Sequence, residues 1–249
     1  SQVPIGSIKK LELYDKSKLK KNLRFVYMPE NLRLGNSLEI FLKSKDIIIG
    51  IRNKSDKRKI NQVIDGINSK KHFVNIETAE MTKHVINSYL ACTIAFANEI
   101  STIASKHKVS FSDLEKSVKT DKRISPYAYL RPGNSFSGGT LGRDLNYLIN
   151  EGRKKYLSTM LLKSIVKSNN NHSLWVETIL NNQKNLNKKK ILQIGLSYTS
   201  GTTTLRRSLP FEIFKRLKRK TNIKVYDEYL RFNSSEIESI KNHFVSINK

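Results

Sequence analysis

The sequence predicts an α/β protein built round a helical centre. Three observations carry that expectation: short β-branched apolar runs alternating with basic stretches before residue 75, one unbroken helical pattern from Glu77 to about Lys106, and a strand, loop, helix, strand unit over 189–229. Apolar runs of four to eight residues suit strands buried on both faces, and longer runs with a 3.6-residue period suit helices.

In the first stretch, LRFVYM at 23–28 and DIIIGI at 46–51 are strand candidates, with a capped helix around SLEIFL between them. Ile60, Val63, Ile64 and Ile67 recur at helical spacing, and HFVNI follows as a further strand. No G-x-G-x-x-G dinucleotide fingerprint occurs anywhere, so the opening half of a nucleotide-binding fold is expected to be missing.

The central helix is apolar all round from Tyr89 to Ala97, which predicts burial on every side. Lys83 and Asn87 are four apart and Asn98 lies eleven beyond Asn87, so the three polar groups fall near one face. Such a stripe either satisfies neighbouring backbone, with Lys83 snorkelling, or projects a cation and amides into a site. Ser112, with Glu115 three later, predicts a capping box for the helix that follows.

Residues 130–144 read LRPGNSFSGGTLGRD, a nearly chargeless glycine loop that ends in Arg143 and Asp144. Gly133, Gly138, Gly139 and Gly142 would let main-chain N–H groups approach a ligand, and Asp144 offers a general base. A flexible surface connection is the plainer alternative, but Leu130, Phe136 and the apolar LNYL after Asp144 favour an ordered loop.

LSTMLLKSIV and LWVETILNN then give helical faces, and KKILQIGL to KVYDEY reads as a parallel βαβ unit with Asp227 ending its second strand. Arg206 and Arg207 stand just before Ser208 and Pro210, where a helix would open and phosphate binding is physically natural. The chain after this unit is too short for a doubly wound sheet, so this domain too is expected to be partial.

Composition narrows the function classes. The 249 residues carry a net charge of +25, from 46 Lys and Arg against 21 Asp and Glu. The lysines are scattered without interleaved aromatics or a Cys/His finger, which favours a solvated, compositionally biased surface over a nucleic-acid face. The single cysteine, Cys92, excludes an intrachain disulfide or cysteine zinc site and suits core packing. No apolar run approaches the roughly 20 residues of a membrane span, and no signal peptide opens the chain, so it is read as cytoplasmic, with no membrane partner and no metal.

Five segments in order resemble the UDP-glucose/GDP-mannose dehydrogenase family. VPIG at 3–6 resembles its V-P-x-G turn, YMPENLRLGN its P-E-x-L-x-x-G segment, and TAEMTKHVINSYLACTIAFANEI its A-E-x-x-K-x-x-x-N helix. RISPYAYLRPGNSFSGGTLGRD is similar to its glycine loop and K-D pair, and GLSYTSGTTTLRRSLP to G-L-x-x-K-x-x-T-x-D-x-R-E-S-P. The resemblance implies a C-terminal half of an NAD-binding, Rossmann-like domain at 1–75, a helical dimerisation domain at 76–160, and linker helices with a truncated Rossmann-like nucleotide-sugar domain at 161–249.

It further implies NAD-dependent oxidation of the C6 alcohol of a UDP- or GDP-sugar. Glu30 would act on the water or proton of the hydrolytic step, Lys83 and Asn87 would stabilise the oxyanion, and Asp144 would act as base. Arg123, Leu130, Phe136, Gly138 and Gly139 would bind substrate, and Arg143 and Arg206 the cofactor. The implied partners are a nucleotide-sugar, a second copy through the central helix, and a separate NAD-domain subunit, since this chain alone would not bind NAD. Thr140 stands where the family has its nucleophilic cysteine, Thr199 and Thr204 where it has lysine and aspartate, and Arg207 where it has glutamate. A threonine hydroxyl is a poor substitute for a thiolate. A noncatalytic nucleotide-sugar-binding relative and a basic nucleic-acid-binding protein therefore stand beside the dehydrogenase as alternatives.

Overall fold

A computed structural model describes residues 2–29, 37–137, 139–198, 200–230 and 238–245. Its contacts divide the chain into two compact units, Ser1–Asn87 and Ser88–Lys249.

In the first unit, α1 (Ser7–Tyr14) passes into a π-turn at Asp15–Leu19, and α2 (Ser37–Leu42) precedes β1 (Asp46–Gly50). Helix α3 (Asp56–Val63) connects β1 to β2 (Lys70–Val74), and the two strands pair in parallel with Ile47 opposite Lys71 and Ile49 opposite Phe73. Alternation along β1 sends Ile47 and Ile49 to one face, where with Ile51 they pack on Ile60, Ile64, Ile67 and Phe73. On the other face Ile48 and Val74 join Ile8, Tyr27, Ile76 and Ala79. The expectation of a β1 covered on both sides is borne out.

The expectation of a strand at 23–28 is not. That segment contributes one antiparallel bridge, between Tyr27 and Gly50. Its backbone is anchored instead by the buried Asp15 carboxylate, which accepts from Leu23 N at 2.8 Å and Lys21 N at 3.3 Å. Gly50 is required where it stands, because a Cβ there would lie 2.8 Å from the Ala79 Cβ and 2.9 Å from the Ile76 Cα of the next helix.

Helix α4 (Ile76–Lys106) runs 31 residues. Its first turn is closed by Asn75, whose Oδ1 accepts from Thr78 N at 2.7 Å. The expectation that it is buried all round is overturned within the single chain: Tyr89 is 64% exposed, Phe96 56% and Ile103 57%. Among the described residues, the buried positions between Tyr89 and Ile103 are Ala91, Ala95, Ala97 and Asn98.

In the second unit, α5 (Phe111–Val118) is capped by Ser110, whose hydroxyl accepts from Asp113 N at 3.4 Å, and not by Ser112, which lies inside the helix. Helices α6 (Leu141–Lys154), α7 (Met160–His172) and α8 (Trp175–Asn181) follow. Leu145 and Ile165 pack with Ala91 and Ala95, and Cys92 lies against this cluster as the sequence led us to expect. The βαβ unit is β3 (Lys190–Ile194), α9 (Leu209–Leu217) and β4 (Asn222–Tyr226), with β3 and β4 in parallel register. Phe214, Ile223 and Val225 are fully enclosed at its core. Ser208 caps α9, accepting from Phe211 N at 3.2 Å and donating to Leu196 O at 2.5 Å.

Candidate functional site

Within the first unit the polar stripe of α4 is real. Glu80, His84 and Asn87 are buried on it, and Lys83 is half-buried beside them. Glu80 is fully enclosed and accepts from Gly6 N at 2.6 Å and Ile8 N at 2.8 Å, capping α1. That cap depends on Gly6, which adopts a left-handed φ of 82°, closed to most side chains. The V-P-x-G turn and the A-E pair are thus two ends of one contact. Lys83 lines a cavity of about 190 Å³ whose wall is mixed, with Met28, Phe41 and Ile47 on its apolar side and Ser44, Thr82 and the Asp46 carboxylate on its polar side. Glu30 lies outside the described residues.

Within the second unit the glycine loop is ordered by side chains from two helices. Asn98 accepts from Gly133 N at 2.9 Å, and His172 Nε2 donates to Gly133 O at 2.8 Å. Asn169 clasps Phe136, accepting from its N–H at 2.8 Å and donating to its C=O at 3.0 Å. The Phe136 ring packs on the Leu145 and Ile165 cluster, and Leu130 is half-buried. The alternative of a flexible connection does not survive these contacts. Asn169 and His172 carry no signal in the sequence, where both sit in an undistinguished SNNNH run.

Thr140 is exposed at the N-cap of α6 and its side chain makes no capping bond. Asp144 is completely enclosed and takes an ion pair from Arg143 Nε at 3.3 Å. Arg123 is bound by Asp121 through Nη2 at 2.6 Å and Nε at 3.0 Å, and its side chain is 88% exposed. The Asp121 hydrogen bonds raise the guanidinium above its ordinary value and lower the carboxyl below its own. Gly139, Thr140 and Arg206 line one cavity of about 220 Å³ with Tyr198, Thr204 and Arg207. Gly138 and Thr199 lie outside the described residues. Arg143 is turned to Asp144 and is not among that cavity's lining.

Among the described residues no group of three His, Cys, Asp or Glu side chains could hold a metal ion, and no helix is long and apolar enough to cross a membrane. The helix after β1 opens on Asp56, whose carboxylate pairs with Arg24 where a phosphate would need the helix terminus.

Residues 77–171 match the model of the UDP-glucose/GDP-mannose dehydrogenase family, central domain. The chain is 34% identical over 205 residues to a UDP-glucose 6-dehydrogenase of Rickettsia bellii, covering 80% of this chain and 47% of that protein. It is 33% identical over 181 residues to a GDP-mannose 6-dehydrogenase of Pseudomonas putida, covering 69% of this chain and 40% of the other. In fold it is similar to a UDP-glucose dehydrogenase from Pyrobaculum islandicum, with a TM-score of 0.85 at 23% identity, over 99% of this chain and 58% of that one. The chain spans about half the length of the curated relatives it matches.

Proposed function

The chain belongs to the UDP-glucose/GDP-mannose dehydrogenase family through the central domain it carries at 77–171, and from that premise we propose that it serves NAD-dependent oxidation of the C6 alcohol of a nucleotide-sugar. The observation that carries this best is the side-chain framework of the glycine loop, which sets Thr140 and the enclosed Asp144 at the head of α6 inside the matched domain. The extents proposed are 1–75 for part of an NAD domain, 76–160 for the central domain and 161–249 for part of a nucleotide-sugar domain.

In this proposal Lys83 and Asn87 stabilise negative charge that develops on the sugar oxygen. A half-buried ammonium and a buried amide, fixed in advance, pay little reorganisation in the transition state. Asp144, oriented by Arg143, holds a water or takes a proton. Leu130, Phe136, Gly138 and Gly139 shape the substrate wall, Arg123 reaches the sugar site of a neighbouring copy, Arg206 lies on the cofactor side, and Glu30 assists hydrolysis. NAD would supply the hydride acceptor when bound, and the NAD-binding element proposed is a separate domain or subunit. Thr140 cannot carry a thioester, so acid formation by the family's covalent route is not assigned to this residue. The setting proposed is the cytoplasm, with a second copy meeting the exposed Tyr89, Phe96 and Ile103 of α4.

The test joins the chain to an NAD-binding domain from a relative and follows NADH with UDP- and GDP-sugars. Turnover that exceeds a Lys83→Ala control supports the proposal, and none above that control refutes it. In an active form, Thr140→Cys should shift product from aldehyde toward acid.

A further inference from the structure

The turn that joins α6 to α7 carries large apolar side chains that no other described residue covers. Between positions 156 and 161, Tyr156 is 98% exposed, Leu157 65%, Met160 76% and Leu161 68%. A folded surface ordinarily scatters such residues singly, and a contiguous group of them marks a contact surface. Near-total exposure at Tyr156 means that no wall rises beside it, so the group stands at a tip and not in a groove.

The turn has a fixed shape. Gly152 O accepts from Lys155 N at 3.0 Å and from Leu157 N at 2.9 Å, and Tyr156 N donates to Arg153 O at 3.1 Å. A Cβ at position 152 would run into Thr159 Cγ2, so glycine there lets the turn close onto the end of α6. Tyr156 adopts a left-handed φ of 57°, unfavourable for a residue with a Cβ, and strain of this kind held at an exposed tip points to use of the side chain. The charge around the tip is one-sided. Arg153, Lys154, Lys155, Lys163 and Lys167 are all exposed, and Glu151, already paired with Lys154 at 2.7 Å, is the single acid from Leu145 to Val176. Lys163 and Lys167 follow Met160 by three and seven residues and so share its solvent face of α7.

We propose that this turn is a docking surface for an anionic lipid bilayer, with Leu157, Met160 and Leu161 entering the acyl boundary, Tyr156 seated among the headgroups, and Lys155, Lys163 and Lys167 on their phosphates. Each side-chain type suits its layer: tyrosine joins an apolar ring to a polar tip, and lysine lays its stem along apolar surface while its ammonium reaches an anion. Charge decides between occupants. A second copy would bring the same cations face to face, and a rigid protein would need a groove cut to the tip, whereas a fluid anionic surface accepts a convex, basic one. Such contact is made without a spanning helix, which is why the length of apolar runs led us to expect no membrane partner. It requires neither a dinucleotide nor turnover, so it goes beyond the dehydrogenase proposal and stands or fails independently of it.

Co-sedimentation of the full chain with vesicles of phosphatidylcholine, and with vesicles that also carry phosphatidylglycerol, tests the surface, and two ionic strengths separate it from diffuse attraction to a chain of charge +25. Binding roughly tenfold tighter to the anionic vesicles is expected, with part of it kept at raised salt because inserted apolar groups are not screened. Leu157→Ser combined with Leu161→Ser leaves the net charge unchanged, so it should unfold at the wild-type temperature and bind roughly tenfold more weakly. Lys163→Gln combined with Lys167→Gln should weaken binding to the anionic vesicles alone. Leu38→Ser combined with Val63→Ser, at two exposed apolar positions of the first unit, should change binding by less than about twofold. The proposal is overturned if wild type prefers neither vesicle, if all binding disappears at raised salt, if the Leu157 and Leu161 variant binds like wild type, or if the first-unit variant loses as much. It is overturned equally if the Leu157 and Leu161 variant loses self-association in sedimentation equilibrium and keeps its vesicle binding, which would assign the turn to a second copy.

Discussion

Asn169 holds Phe136 by both ends of its peptide: the side-chain oxygen accepts the Phe136 N–H at 2.8 Å and the side-chain nitrogen donates to the Phe136 carbonyl at 3.0 Å. One buried amide on α7 thus stands in for the strand partner that the glycine loop lacks. Asn169→Ala should leave a backbone donor and acceptor unpaired and cost about 2 kcal/mol. Urea unfolding measures the loss, and hydrogen exchange should show the Phe136 amide exposed well before the rest of the unit. An unchanged exchange rate at Phe136 would mean that the loop is anchored elsewhere.

Glu80 is the corresponding anchor of the first unit. Glu80→Ala orphans the Gly6 and Ile8 N–H groups and should destabilise by roughly 2–3 kcal/mol, while Glu80→Gln keeps one acceptor and should lose less. Thermal unfolding of the two variants side by side checks the order. Equal losses would show that the carboxylate acts through charge instead of through its two hydrogen bonds.

Asp227 sets a pH dependence. Burial pushes its carboxyl upward, but the N–H groups of Leu196, Ser197, Tyr229 and Leu230 pull harder and leave it below the ordinary carboxylate value. A group with a depressed folded value binds fewer protons folded than unfolded. Its stabilisation is therefore present above the unfolded value of about 3.9 and lost as pH falls through the folded one. Asp227→Asn should flatten the decline in urea midpoint below about pH 4. A decline as steep as wild type would assign the acid sensitivity to other carboxylates.

Phe96 lies mid-way along the uncovered face of α4, between Tyr89 and Ile103. Phe96→Glu should weaken self-association at least tenfold in sedimentation equilibrium, because a charge would be buried against an apolar partner. Identical association constants for the two proteins would remove this face from any dimer.

The elements legible in the sequence were those whose pattern is local. The isoleucines of β1, the period of α3 and the hydroxyl cap at Ser208 each announce their structure within a few residues. Segment 23–28 misled because its β-branched and aromatic content is the same whether it pairs along its length or only at Tyr27, and pairing is decided by distant partners. The middle of α4 misled because an apolar helix is a statement about total burial demand, and one chain meets only part of it. In the first unit the spacing of Lys83 and Asn87 made a polar stripe on α4 legible, and in the second Asp144 was legible as the residue that ends the glycine loop. Asn169 was not, since a buried asparagine that clasps a loop and a solvated one in a polar run have the same letters around them. Arg207 was visible only as a departure until its contact with Gly139 gave it a place.

Tyr89, Phe96 and Ile103 follow one another at intervals of seven, while an α-helix repeats every 3.6 residues. A seven-residue stripe on a straight helix drifts by about 20° per heptad. Over two heptads the uncovered face of α4 therefore winds slowly round the axis and does not run parallel to it. A second helix that follows this face must be inclined by about 20° in the left-handed sense of coiled coils. The handedness of any assembly along α4 is accordingly written into the spacing of three side chains.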